Sequence, residues 1–103
     1  MKLLATMRPA QQGDLRKEVM AVASEELTAL WKLYTAGIVR EMYSPGGLGA
    51  VLIIEADSVQ DAHDALSPLP LLTRGLMTLE LLELAPFRAL QMLFRAGASA
   101  GET

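Results

Sequence analysis

Between Leu48 and Leu71 the chain passes from an uncharged apolar run, Leu48 to Ile54, into a helix start at Ser58 and then into Leu69-Pro70-Leu71. Within the run, Val51-Leu52-Ile53-Ile54 does not alternate apolar with polar residues, and such a strand wants both of its faces covered. Ser58 with Asp61 three positions later reads as a helix N-terminus: the serine oxygen accepts an early amide and the acid sits at the positive helix end. The helix must stop by Leu-Pro-Leu. A buried strand leading into a short capped helix sharply limits the folds open to 103 residues.

The rest of the chain supplies the remaining elements. Leu3 to Met7 is a first strand, and Arg8 to Gly13 a polar connection. Asp14 is expected to cap one long helix running to about Ala36, ended by Gly37. Ile38 to Tyr43 is a second strand, Ser44-Pro45-Gly46-Gly47 a turn, and Gly49 to Ala56 the third strand. Ser58 to Leu66 is the second helix, Leu76 to Leu84 the fourth strand, and Pro86 opens a short third helix, Phe87 to Phe94. The order β-α-β-β-α-β is the ferredoxin-like split unit, an α+β fold with an extra C-terminal helix. Residues 1–95 are expected to form one domain and 96–103 a flexible tail. Leu79-Glu80-Leu81-Leu82 alternates no better than the third strand. Two helices cover one face of a four-stranded sheet. Either a second copy of the sheet or the C-terminal helix must cover the other.

Composition removes several functions. The formal charge is −3, with no basic cluster for a nucleic-acid partner. There is no cysteine and one histidine, hence no disulfide, no thiolate nucleophile and no transition-metal cluster. No cofactor is implied: Gly46-Gly47-Leu48-Gly49 lies in a hairpin, where no helix follows to receive a phosphate. The run Leu48 to Ile54 falls far short of the ~20 residues that span a bilayer. Met1 to Met7 is too short for a secretory signal, so the expectation is a soluble cytoplasmic protein. A domain this small buries a modest share of its surface, and an oligomer interface would help it.

Four residues stand out as carriers of chemistry. On a wheel of the first helix, Leu15, Val19, Val22, Leu30 and Leu33 form one stripe, and Glu26 lies inside it. A carboxylate there is expensive unless paired or protonated. Desolvation would raise its pKa, which suits a proton shuttle. The structural alternative is a carboxylate bonded to Arg40 or to backbone. Arg40 alternates with Ile38 and Met42, so it should share their face and need an anion there. Otherwise it is an edge-strand arginine reaching solvent or Glu41, Glu55 or Glu80. Tyr43 is placed to line a pocket and donate its hydroxyl. His63 stands beside Val59 and Leu66, half on the apolar face, either as a substrate contact or as a hydrogen-bonded core residue. Trp31 and Tyr34 share one flank of the first helix and suit packing or an interface.

Ser58-Val59, then His63-Asp64, Leu66 two positions on, and Leu69-Pro70-Leu71 resemble the muconolactone isomerases at the same spacing. The likeness extends from roughly Leu27 to Leu84. Just N-terminal to it stands a glutamate eleven residues before the helix-ending glycine, Glu26, and within it an arginine shortly after that glycine, Arg40. The resemblance implies a dimeric α+β barrel: a homodimer paired sheet to sheet, with possible assembly into a ring of dimers. It also implies cofactor-free proton transfer on a small lactone or unsaturated carbonyl compound. Glu26 would move the proton and Arg40 would face a carboxylate or oxyanion, with Tyr43 and His63 contacting substrate. The chain departs from the family where Tyr43-Ser44 replaces a Trp-Arg pair, and in a first strand without basic side chains. A more neutral or apolar ligand fits these positions better than a lactone acid. Two other readings stand beside the isomerase: a non-catalytic small-molecule-binding or assembly module, and a cofactor-independent monooxygenase.

Overall fold

The computed structural model describes residues 1–95. Its strands are β1 (Lys2–Pro9), β2 (Val39–Tyr43), β3 (Ala50–Glu55) and β4 (Met77–Leu84). Its helices are α1 (Arg16–Ala21), α2 (Ala23–Thr35), α3 (Val59–Leu66) and α4 (Pro70–Thr73). A 3₁₀ turn, Arg88–Leu90, follows, and the chain is helical from 91 to 95. The strands form one antiparallel sheet in the spatial order β2-β3-β1-β4. The ferredoxin-like α+β fold expected from the sequence is the fold observed. The expected tail, 96–103, lies outside the described residues.

Register explains which side chains meet. Leu3, Ala5 and Met7 of β1 face the helices, opposite Ile54, Leu52 and Ala50 of β3. On its other edge β1 sets Ala5 against Leu81 and Met7 against Leu79. This covered face, with Val22, Leu30, Ala62, Leu66, Leu69 and Leu71 from the helical layer, is the hydrophobic core. Leu4, Val51, Ile53, Leu82 and Leu84 point the other way, as the pleat requires. Among the described residues no helix covers them, and Leu82 is 60% exposed. The C-terminal helix does not fold over this face: Phe87, Leu90, Met92, Leu93 and Phe94 are all exposed, Phe87 to 79%. Among the described residues no helix is long and apolar enough to cross a membrane.

The capping signals behave as their chemistry predicts. Ser58 Oγ accepts a hydrogen bond from the Asp61 amide at 3.0 Å, opening α3. At the end of α2 the Gly37 amide donates to Tyr34 O and the Ile38 amide to Leu33 O, a closed Schellman pair.

Two expectations need correction. The first helix is not continuous: it breaks at Val22, whose ψ of 8° leaves the helical region. Neither Pro nor Gly marks the joint. The cause is packing, because α1 buries no side chain of its own while Val22 is 2% exposed, so the chain turns about that anchor. Asp14 does not cap in the usual way either; Leu15 is the N-cap residue, and Asp14 Oδ1 accepts only from the Arg16 amide. The second correction concerns Leu69-Pro70-Leu71, which starts a helix as well as stopping one. Pro70 is at the first position of α4, where its missing N–H costs nothing, and Gly75 closes that turn with φ +69°.

Candidate functional site

Glu26 sits in the first turn of α2, after the break at Val22, with its amide donating to Val22 O at 2.9 Å. It is the one buried charged residue of the described chain, 4% exposed. The short helix α4 meets it from the other side. The first amides of a helix have no partner within it. Leu71 donates its N–H to Glu26 Oε1 at 2.9 Å, across 45 residues of sequence. This is the backbone partner that the sequence left open beside Arg40. The second oxygen, Oε2, is buried without any hydrogen-bond partner. Burial pushes the Glu26 pKa above the ordinary carboxylate range, and the Leu71 hydrogen bond offsets only part of that rise.

Glu26 lines a partly open cavity of about 340 Å³ between α2 and one end of the sheet. Ala23, Leu27 and Leu30 of α2 form its roof, Met7, Met42 and Leu52 its floor, and Leu71 closes one side. Tyr43 and Ser44, at the end of β2, and Gly49, at the start of β3, form its rim. Gly49 is there for a steric reason. Its φ is +121°, and a Cβ would stand 2.3 Å from Met7 O, so only glycine lets β3 approach β1 at the rim. The lining is almost wholly apolar, and Glu26, Tyr43 and Ser44 are its polar residues.

The other sequence candidates fall elsewhere. Arg40, expected beside Ile38 and Met42 on the apolar face, does not line the cavity that Met42 lines. Val39 pairs with Ile54 but Glu41 pairs with Ile53, so Arg40 is the extra residue of a β-bulge. The bulge breaks the period-two alternation on which the expectation rested. Arg40 is exposed, donates from Nε to Gly37 O, and lines a surface groove with Trp31 and Tyr34. Those two rings stack at 5.6 Å on the flank of α2. Tyr43 reaches the rim, but its register partner is Val51 and its hydroxyl donates to Glu41 Oε1. That bond, and the charge of Glu41, push the phenol pKa up, so Tyr43 stays neutral. His63 is exposed on α3, with Nδ1 3.7 Å from Asp64 Oδ1, away from the cavity. The structure therefore brings Glu26 and Tyr43 to one pocket and leaves Arg40 and His63 outside it within a single subunit.

Sequence reasoning missed Leu71 and Ser44 as parts of the site. The signal for Leu71 was present in Pro70 and Gly75, which bracket one helical turn. No local signal announces that this turn docks against Glu26. Among the described residues no cluster of His, Asp and Glu is arranged to hold a metal ion.

The fold and pocket define a ferredoxin-like α+β subunit with a carboxylate-bearing apolar cavity. No protein-family model matches the chain, and no curated protein matches it. Solved structures do. Muconolactone isomerase superposes with a TM-score of 0.67 at 22% identity, over 84% of this chain and 90% of that one. The 5-chloro-2-hydroxyhydroquinone dehydrochlorinase TftG of Burkholderia phenoliruptrix AC1100, in complex with 2,5-dihydroxybenzoquinone, superposes with a TM-score of 0.62 at 18% identity, over 84% and 97%. At these identities the likeness establishes the fold: the chain has the α+β fold of muconolactone isomerase.

Proposed function

We propose that this protein is a cofactor-free isomerase that moves a proton on a small lactone or unsaturated carbonyl compound, with Glu26 as the base. The observation that carries the reading is a buried carboxylate, paired at one oxygen and unpaired at the other, on the wall of a ligand-sized apolar cavity. Ionised Glu26 takes a proton from the carbon next to the carbonyl. The C–H electron pair moves into the conjugated system and charge collects on the carbonyl oxygen. The same carboxyl group then returns the proton to the far carbon, so the double bond has shifted and no co-reactant is consumed. A raised pKa suits both halves of this cycle. Ser44 is the hydroxyl donor at the rim, since Tyr43 gives its hydroxyl to Glu41. Two neighbours in fold, one named for a lactone isomerisation and one holding a quinone ring, support a ring carbonyl ligand.

The test is solvent exchange. Purified protein in D₂O is mixed with muconolactone and a panel of lactones and enones, and deuterium uptake is followed by NMR for wild type and Glu26→Gln. Uptake by wild type that disappears in the variant is the expected result. Binding without uptake would move the protein to the second reading, a carrier or sensor, which the scarcity of polar side chains in the lining favours.

The proposed macromolecular partner is a second copy, its sheet laid on the uncovered face of this one. Leu4, Val51, Ile53, Leu82 and Leu84 would meet their equivalents, and the exposed Phe87, Leu90, Leu93 and Phe94 would extend the contact. Light scattering should give a dimer or a multiple of it, and Leu82→Asp should lower that mass. A wild-type monomer would sink this part of the proposal.

A further inference from the structure

The cavity holds the Glu26 carboxyl group and nothing to balance an incoming negative charge. Among the described residues no lysine, arginine or histidine lines it. Two arginines of adjoining segments are engaged elsewhere: Arg40 on Gly37 O in the groove beyond β2, and Arg74 beside Glu25 at 3.7 Å on the surface of α2. The Leu71 amide, a backbone donor at the site, is already taken by Glu26 Oε1. Tyr43 gives its hydroxyl to Glu41, and Ser44 Oγ receives the Gly46 amide at 3.4 Å, which leaves only a serine proton at the rim. An ionised carboxylate entering this lining would lose its water and gain no counter-ion, an unfavourable exchange. If Glu26 is itself charged, repulsion at short range adds to the loss.

We infer that the pocket selects uncharged ring compounds and rejects carboxylates of the same shape, so that its substrate class is a small neutral lactone, enone or quinone. Size agrees with this. A cavity of ~150 Å³ takes benzene, so about 340 Å³ leaves room for one substituted ring. A neutral carbonyl compound needs only what the lining offers: an apolar enclosure, the Glu26 carboxyl group, and a hydroxyl at the rim. Residue 44 is the control point: it is an exposed position of the lining, so a long basic side chain there would bring a counter-charge to the mouth without replacing a core residue.

This inference rests on the Glu26 cavity being the ligand site, and its test separates the two claims by measuring affinity instead of turnover. Muconolactone and its methyl ester form a matched pair, one charged at pH 7 and one not. Titrations of wild type followed by NMR of the pocket methionine methyls should show the ester binding at least ~10-fold more tightly than the acid, the factor that one uncompensated charge readily supplies. Ser44→Arg should bring a counter-charge to the mouth and cut the ester-to-acid preference about 10-fold. Equal or tighter binding of the acid by wild type would overturn the inference and leave Glu26 as the base. Binding of neither compound, at concentrations where the protein stays folded, would overturn both. Preferential ester binding without deuterium uptake would support the inference and remove the isomerase.

Discussion

The two faces of the sheet are built from almost the same residue types and have different fates. On the covered face Leu3, Ala5, Leu52 and Ile54 are fully buried and the helices interlock with them. On the open face Leu4, Val51, Ile53 and Leu82 occupy equivalent places in the pleat and remain accessible. Apolar composition alone does not say which face becomes the core. The helix connections decide it, because both crossovers return on the same side. The covered face also holds a place where packing is incomplete, the cavity beside Glu26. The open face is a surface suited to another surface.

Mutations on the two faces test this contrast. Leu52→Ala, at the centre of the covered face, should cost about 2–5 kcal/mol, read from urea denaturation, since its neighbours cannot collapse into the space. A loss close to zero would mean that the covered face is not the core. Glu26 comes next, and its effect depends on pH. Its pKa in the folded chain lies above the ordinary 4.5. Below that ordinary value the carboxyl is protonated in both folded and unfolded chains and its burial costs least. Stability is then lost as pH rises from 4.5 through the raised value, because the unfolded chain ionises first. The Tm of Glu26→Gln minus that of wild type should therefore grow as pH rises across this window, with the Leu71 hydrogen bond kept by the amide oxygen. A flat difference would mean that the carboxylate is solvated in the fold.

Gly49→Ala should lower stability by about 1–3 kcal/mol, since the new methyl would meet the Met7 carbonyl from a backbone conformation that alanine avoids. It should also disturb ligand binding, because Gly49 is at the rim. Ser58→Ala should cost about 1 kcal/mol through loss of the α3 cap. Leu82→Ala should have the smallest effect, within about 0.5 kcal/mol, measured at dilutions where Tm no longer varies with protein concentration. A large loss there, in a single copy, would erase the distinction between the faces.

Much of the architecture was legible because its signals are local. Gly37 ends α2 and Ser58 opens α3, as their side-chain and backbone chemistry requires. The first strand, expected over Leu3 to Met7, lies within β1. Glu26 was legible for a related reason: a charged residue within an apolar helical stripe is visible on a wheel. The break at Val22 was not legible, because no breaker residue marks it and it arises from how one valine anchors between the helices and the sheet. Arg40 misled for a complementary reason. Alternation assumes an unbroken ladder, and the bulge at residue 40 is a property of how β2 pairs with β3.

The sequence by itself therefore determined the order of elements, the ends of most of them, and the presence of one expensive carboxylate on an apolar face. Those follow from spacing and capping within a few residues. Only the tertiary structure decided that a one-turn helix begun at Pro70 would aim its free Leu71 amide at Glu26, and that Arg40 would be turned out of the pocket. It also decided which face of the sheet would stay open. Each of these depends on groups far apart in the chain, and their energies come from desolvation and register, which exist only once the layers have met.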